Sequence, residues 1–203
     1  MKVLDPKDRK YWKLMIAIGL PIALQNLIFN GLNMVDNILI GGLGEANIAA
    51  VGIANKLSFV FNLFLFGVNS GANIFSAQFW GKKDLTGVRR VLGLSLFMGM
   101  VVAVPFMIVG VLFPETVIAL FSDDPLVISQ GAAYLRIAAV SFPISAVTSS
   151  YGMQSRGVGR TKIPLLSSAS ALTFNTIFTY LLIYGKLGLP EMGIRGAAVA
   201  TLF

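Results

Sequence analysis

Polar and apolar positions are segregated along this chain into long uncharged runs, at 14–35, 57–81, 91–114, 137–155 and 163–185. Each run is close to the roughly 20 residues that a helix needs to cross the hydrocarbon of a bilayer. With their flanks, the runs predict spans over about 12–40, 48–80, 88–114, 125–155 and 163–185. A sixth span begins near 194 and stays apolar to Phe203, too short a stretch to leave the membrane. The expectation is an all-α, polytopic membrane bundle of about six transmembrane helices, with residues 1–203 forming the N-terminal piece of something longer. The first run follows Lys7, Arg9, Lys10 and Lys13, as in a signal peptide. Its apolar stretch is too long for one and no small-residue cleavage site closes it, so it is expected to remain.

Within the runs, polar side chains fall on stripes. On a helical wheel Gln25, Asn26, Asn30, Asn33, Asp36 and Asn37 occupy an arc of roughly 140°, opposite an apolar face. In the second span Asn55, Ser58, Asn62, Asn69, Asn73 and Ser76 share an arc of about 60°. The fifth adds Ser168, Thr173, Asn175, Thr176 and Thr179. Amide and hydroxyl groups in hydrocarbon need partners, because an unsatisfied group there costs several kcal/mol. Two arrangements supply them: hydrogen bonds that join helices to one another, each worth about 0.6 kcal/mol, or a water-filled interior lined by several spans. The density of the stripes favours the second.

Asp36 is the one acidic residue inside the spans. An ionised Asp at a helix centre costs about 2.5–3.5 kcal/mol on insertion scales, and such residues mark ion or proton pathways. Ile38, Leu39 and Ile40 continue the apolar run beyond it, which places Asp36 about 8 Å below the end of the span at 1.5 Å per residue; the alternative is a carboxylate that simply ends the span at the interface. The same bookkeeping puts Asn175 and Thr201 in the same half of the membrane. Pro21 sits within the first helix, where it removes a backbone hydrogen bond and permits a kink.

Composition agrees with the membrane reading: 56% of residues are hydrophobic and 12% charged, against about a quarter charged in soluble domains. The net charge of +7 does not point to nucleic acid, because the cations alternate from loop to loop. Lys and Arg number five before the first span, none in 41–55, four in 82–90, none in 115–124, three in 156–162 and two in 186–195. That alternation places the N-terminus in the cytoplasm of a cell (plasma or inner) membrane, with 41–55, 115–124 and 186–195 outside. Lys56 and Arg136 stand at the outer span ends, where long cationic stems snorkel. Arg156, Arg160 and Lys162, around Gly157 and Gly159, are expected at headgroup level in a tight turn. These residues include no Cys and no His, which sets aside disulfides, thiol nucleophiles and zinc sites. No GxxxxGK[ST] loop is present either, so no cofactor or nucleotide is expected, and if the protein moves something its energy would come from an ion gradient or from a missing partner.

The ordered motifs resemble one family. They are Pro21 and Asn33-x-x-Asp36 in the first span; Gly42-Leu43-Gly44 after it; Gln78-x-x-Gly81 closing the second; Gln154-x-x-Gly157-x-Gly159-x-x-Lys162-x-Pro164 between the fourth and fifth; Asn175; and Gly193-x-x-Gly196-Ala197-Ala198-x-Ala200-Thr201. Together they are similar to the N-terminal lobe of multidrug and toxic compound extrusion transporters, secondary exporters with twelve spans in two six-span lobes. The resemblance implies a missing C-terminal lobe and alternating access. It implies export of cationic or amphiphilic drugs in exchange for H⁺ or Na⁺, with membrane lipid around the protein and no enzyme activity. By the same resemblance Asp36 is the cation-coupling carboxylate, for H⁺ or Na⁺, with Asn175 and Thr201 beside it and Pro21 the bend of the first helix. Some relatives carry a second Asp where this chain has Thr179, which weakens a sodium site. A single carboxylate in low-dielectric surroundings has its charged form disfavoured, which suits proton coupling. Gln25, Asn26, Phe29, Asn33, Met34, Thr148 and Ser149 are expected to line the drug cavity, offering apolar surface and acceptors to cationic amphiphiles. The alternatives are a lipid-linked oligosaccharide flippase, which would more naturally carry cations inside its spans, and an intramembrane enzyme, which the absence of His and Cys disfavours.

Overall fold

The structure, a computed structural model, describes residues 9–188 and 190–202; Lys7 and the side chains of Lys10 and Asn33 lie outside the described residues. Eight α-helices carry the described chain: α1 (Arg9–Gly41), α2 (Glu45–Gly81), α3 (Leu85–Leu112), α4 (Pro114–Ala119), α5 (Pro125–Ala138), α6 (Phe142–Gly157), α7 (Lys162–Tyr184) and α8 (Ile194–Ala200). No strand occurs among the described residues. Five stretches are long and apolar enough to cross a membrane: Met15–Gly41, Glu45–Gly81, Leu85–Leu112, Pro125–Gly157 and Lys162–Tyr184. At 1.5 Å per residue the 37 residues of α2 extend for about 55 Å, well beyond a hydrocarbon core of about 30 Å.

Connections between the long helices are short because their ends are signalled. Asp84 caps α3 by accepting from the Gly87 amide at 2.9 Å, and Asp124 caps α5 by accepting from the Leu126 amide at 2.8 Å, with Pro125 at the first turn. Both follow the preference for a short acceptor at the N-cap and for proline just inside it. Gly185, at φ 61°, ends α7 in the left-handed region open to glycine.

The fourth span is two helices rather than one. A 3-10 turn, Ala139–Ser141, separates α5 from α6. Pro143 in the first turn of α6 has no amide hydrogen to give, and Ser141 Oγ donates to the Ala138 carbonyl at 2.7 Å. This broken span is the core of the bundle. Phe142 stacks on Phe61 with ring centroids 4.5 Å apart, beside Leu65, Ala103 and Ala146. Small residues bring the helices close: a Cβ on Gly110 of α3 would lie 2.5 Å from Ala139 Cβ. A second cluster, which includes Ile40, Ala54, Leu135, Ile183 and Ala198, ties α1, α2, α5, α7 and α8 together near the Gly41 end. Elsewhere large apolar side chains face outward, Phe59, Leu63 and Phe66 being 60–69% exposed, as lipid-facing helices require.

Two cations at the Gly41 end, Lys56 and Arg136, have specific partners. Lys56 Nζ lies 4.2 Å from the Phe121 ring centroid, and Arg136 pairs with Glu115 at 2.8 Å in an exposed contact.

Candidate functional site

Helices α1 and α7 run parallel, and two cross-links give their register. Gln25 meets Ser168, 143 residues on, and the Leu39 carbonyl accepts from Tyr184 Oη at 3.1 Å, 145 residues on. Adding 143 to 145 residues to Asp36 gives 179 to 181, so the carboxylate stands level with Thr179, which is 2% exposed. Asn175 lies about one helical turn below that level.

A chain of contacts joins these residues to α8 and α5. Asn175 Nδ2 donates to the Ala200 carbonyl at 2.8 Å. Next along the backbone, Thr201 Oγ1 donates to the Ala197 carbonyl at 3.0 Å, and its side chain also shares a hydrogen bond with Tyr134. Tyr134, 8% exposed, is in turn within electrostatic reach of Asp36. Two oxygens here are buried without a hydrogen-bond partner, Asp36 Oδ1 and Asn175 Oδ1. Buried acceptors of this kind need a donor or a cation, and a carboxylate, an amide oxygen and hydroxyls are the oxygen ligands that hard cations take. Among the described residues no three His, Cys, Asp or Glu side chains gather to hold a metal, so the set offers a single negative charge.

Tyr134 was not among the residues singled out by sequence. Its signal was available: a tyrosine buried in a membrane span needs a partner for its hydroxyl.

The residues expected in a drug cavity divide. Asn26, Phe29 and Met34 are exposed on α1, Phe29 by 43% and Met34 by 67%. Thr148 is exposed and donates back to the Ile144 carbonyl at 2.6 Å; Ser149 is half-buried. Gln25 differs from expectation, being 5% exposed and turned into the bundle. Its Nε2 donates to Ser168 Oγ at 2.6 Å and to the Pro164 carbonyl at 3.3 Å, and its Oε1 accepts from Arg156. The wheel placed Gln25 on the polar stripe but was silent about which neighbour that edge of the stripe meets. Arg156 is accordingly half-buried and turned toward Gln25, while Arg160 and Lys162 are exposed.

The polar stripe of α2 splits in the same way. Asn55 and Asn62 are exposed. Asn69, 3% exposed, accepts from Ser95 Oγ at 2.8 Å and from Ser150 Oγ at 3.0 Å, so it joins α2 to α3 and α6 rather than facing an interior. Two open clefts, of about 460 and 530 Å³, lie at the Gly41 end around Glu115 and Arg136 and around Asn47 and Glu191, away from Asp36.

A family model described as MatE matches residues 21–181. This chain belongs to the MatE family. Among MatE relatives, a probable multidrug resistance protein NorM of Agrobacterium fabrum is 30% identical over 95% of this chain and 41% of its own length. A probable multidrug resistance protein YoeA of Bacillus subtilis is 28% identical over 94% of this chain and 42% of its own. The fold matches an outward-facing multidrug resistance MATE family transporter of the MOP superfamily with a TM-score of 0.84 at 22% identity, over 94% of this chain and 41% of that one. The chain thus spans about two fifths of the length of these relatives, as one helical lobe of a MatE membrane protein.

Proposed function

We propose that this lobe, joined to a second six-span lobe, works as a secondary active exporter. It would move cationic or amphiphilic drugs out of the cell in exchange for H⁺ or Na⁺ by alternating access. The observation that carries the reading is the half-buried Asp36 carboxylate on α1, with one oxygen unpartnered, level with Thr179 and within electrostatic reach of Tyr134, which bonds Thr201, while Asn175 bonds the neighbouring Ala200 carbonyl. The named relatives are multidrug resistance proteins, which supports drugs as the cargo.

In this mechanism a cation from outside reaches Asp36 and neutralises it. Losing the charge removes the desolvation cost of holding a carboxylate among apolar helices, so α1 settles more closely against α7 and α8. Asn175 Oδ1 supplies the second acceptor to the cation, and Thr201 and Tyr134 orient around it. Pro21 lets α1 bend, and the drug leaves the wall formed by Asn26, Phe29, Met34, Thr148 and Ser149 together with Asn33. Lys82, Lys83, Arg89 and Arg90 would lie on the cytoplasmic side of the plasma or inner membrane.

The test is drug efflux by the full-length protein in vesicles with imposed H⁺ or Na⁺ gradients. Efflux driven by one of them, and lost in Asp36→Asn, is expected. Gradient-driven efflux that persists undiminished in Asp36→Asn overturns the role of Asp36, and no efflux by the wild type under either gradient overturns the exporter.

A further inference from the structure

Gln25 on α1 reaches two other helices by hydrogen bonds, α6 through Arg156 and α7 through Ser168 and the Pro164 carbonyl. It stands one turn after Pro21, where α1 lacks a backbone hydrogen bond. Beyond it the helix is open: from 26 to 38 the described side chains are exposed except those of Ile28 and Asp36, which are half-buried. The next anchor is at the far end, where Ile40 is 3% exposed and Tyr184 Oη holds the Leu39 carbonyl.

The chemistry of the contact is that of a reversible hold. Arg156 is half-buried, its Nε has no hydrogen-bond partner, and among the described residues the one ion pair is Arg136 with Glu115, so Arg156 pairs with no carboxylate there. Its partner is instead the neutral amide oxygen of Gln25. A charged donor on a neutral acceptor is stronger than a neutral pair, yet releasing it does not strand a buried anion as breaking a salt bridge would. The other end of the same amide is fixed by donation to α7, so rotation of α1 breaks both contacts together.

We infer that Gln25, with Arg156 and Ser168, is a polar clamp that positions the stretch of α1 just after Pro21 against α6 and α7, and that its release is the step that frees α1. The structural part of this inference is independent of transport; the role of release rests on the exporter reading. Gln25 is on this account a positioning residue and touches no cargo.

The test uses spin-label pairs in the full-length polypeptide in lipid vesicles, with labels only at introduced cysteines, since this stretch has none. Leu27→Cys with Leu166→Cys, both 67% exposed, reports on the clamp; Ile38→Cys with Ile177→Cys, 63% and 50% exposed, reports on the far end. Gln25→Leu is expected to broaden the first distance distribution about twofold and leave the second unchanged, with Arg156→Met and Ser168→Ala broadening the first to lesser degrees. An unchanged first pair, or equal broadening of both pairs, overturns the clamp. In unlabelled protein Gln25→Leu is expected to change kcat of efflux severalfold with KM within twofold; a change confined to KM overturns the positioning role and returns Gln25 to the cavity wall. If the wild type exports nothing, the exporter reading fails and the distances alone decide the clamp.

Discussion

Two spans of similar apolarity behave in opposite ways in this lobe. In the apolar stretch of α1 only 6% is buried, whereas in that of the α5–α6 span 50% is. The broken span sits between α2, α3 and α8 and contributes Phe142, Ala139 and Tyr134 to buried clusters. The first helix lies at the edge, held near Gln25 and near Ile40, and it carries the one carboxylate within the spans. A charge whose state is to change is better placed on a helix with few packing contacts, because close-packed interiors resist displacement. The core span gives the lobe its rigidity and the peripheral span gives it a part that can respond.

The comparison breaks most visibly at Asp36. Asp36→Asn keeps the size and the buried oxygen but removes the charge that a cation meets. Gradient-driven efflux by the full-length protein is expected to fall to the level of empty vesicles while the thermal midpoint in detergent holds or rises, since the desolvation cost of the charge is removed. A large drop in the midpoint would instead make Asp36 a structural residue of the lobe.

On the core side, Phe142→Ala removes a ring stacked 4.5 Å from Phe61 at 4% exposure. Truncations of this kind cost about 3–5 kcal/mol, which thermal or denaturant unfolding in micelles would register. Little loss would mean that lipid or neighbouring side chains refill the site, and the α5–α6 span would then not be the rigid half of the contrast.

Gly196→Ala tests the junction between the two regions. An added Cβ would lie 2.7 Å from the backbone carbon and oxygen of Leu182, so α8 must move away from α7 by a few tenths of an ångström or more. Overpacking of this sort costs about 1–3 kcal/mol. It would also stretch the 2.8 Å bond from Asn175 to the Ala200 carbonyl, so cation dependence of efflux is expected to shift along with stability. A change in stability with the cation dependence untouched would separate Asn175 from the site.

Much of this arrangement was legible in the sequence, and what was not has a physical cause. Uncharged runs mark the helices because a charge in hydrocarbon is costly, and the runs and the helices coincide over most of their lengths. The 3-10 break at Ala139–Ser141 escaped that logic, since Pro143 in an apolar run reads equally as a tolerated kink. Wheel geometry found the stripes but not their neighbours. Asn69 proved to join three helices, Gln25 turned to α6 and α7, and Arg156 turned toward it, because the direction a stripe faces depends on tertiary packing that period alone does not contain. Tyr134 was missed because an aromatic residue in an apolar run looks like core until its hydroxyl is asked for a partner.

The smallest expected effect is also the most direct check of the contrast. Leu27, 67% exposed on α1, has the same apolar character as the buried leucines of the core, so Leu27→Ala would be costly if burial were uniform across the spans. Because the side chain meets lipid or the second lobe rather than its own bundle, the unfolding free energy of the isolated lobe is expected to stay within about 0.5 kcal/mol of wild type. If Leu27→Ala in the full-length protein costs as much as a core truncation while the isolated lobe is unaffected, this face of α1 is where the second lobe packs. The exposed wall of Phe29 and Met34 would then lie beside an interface between lobes and not open to lipid, as a cavity shared by two lobes requires.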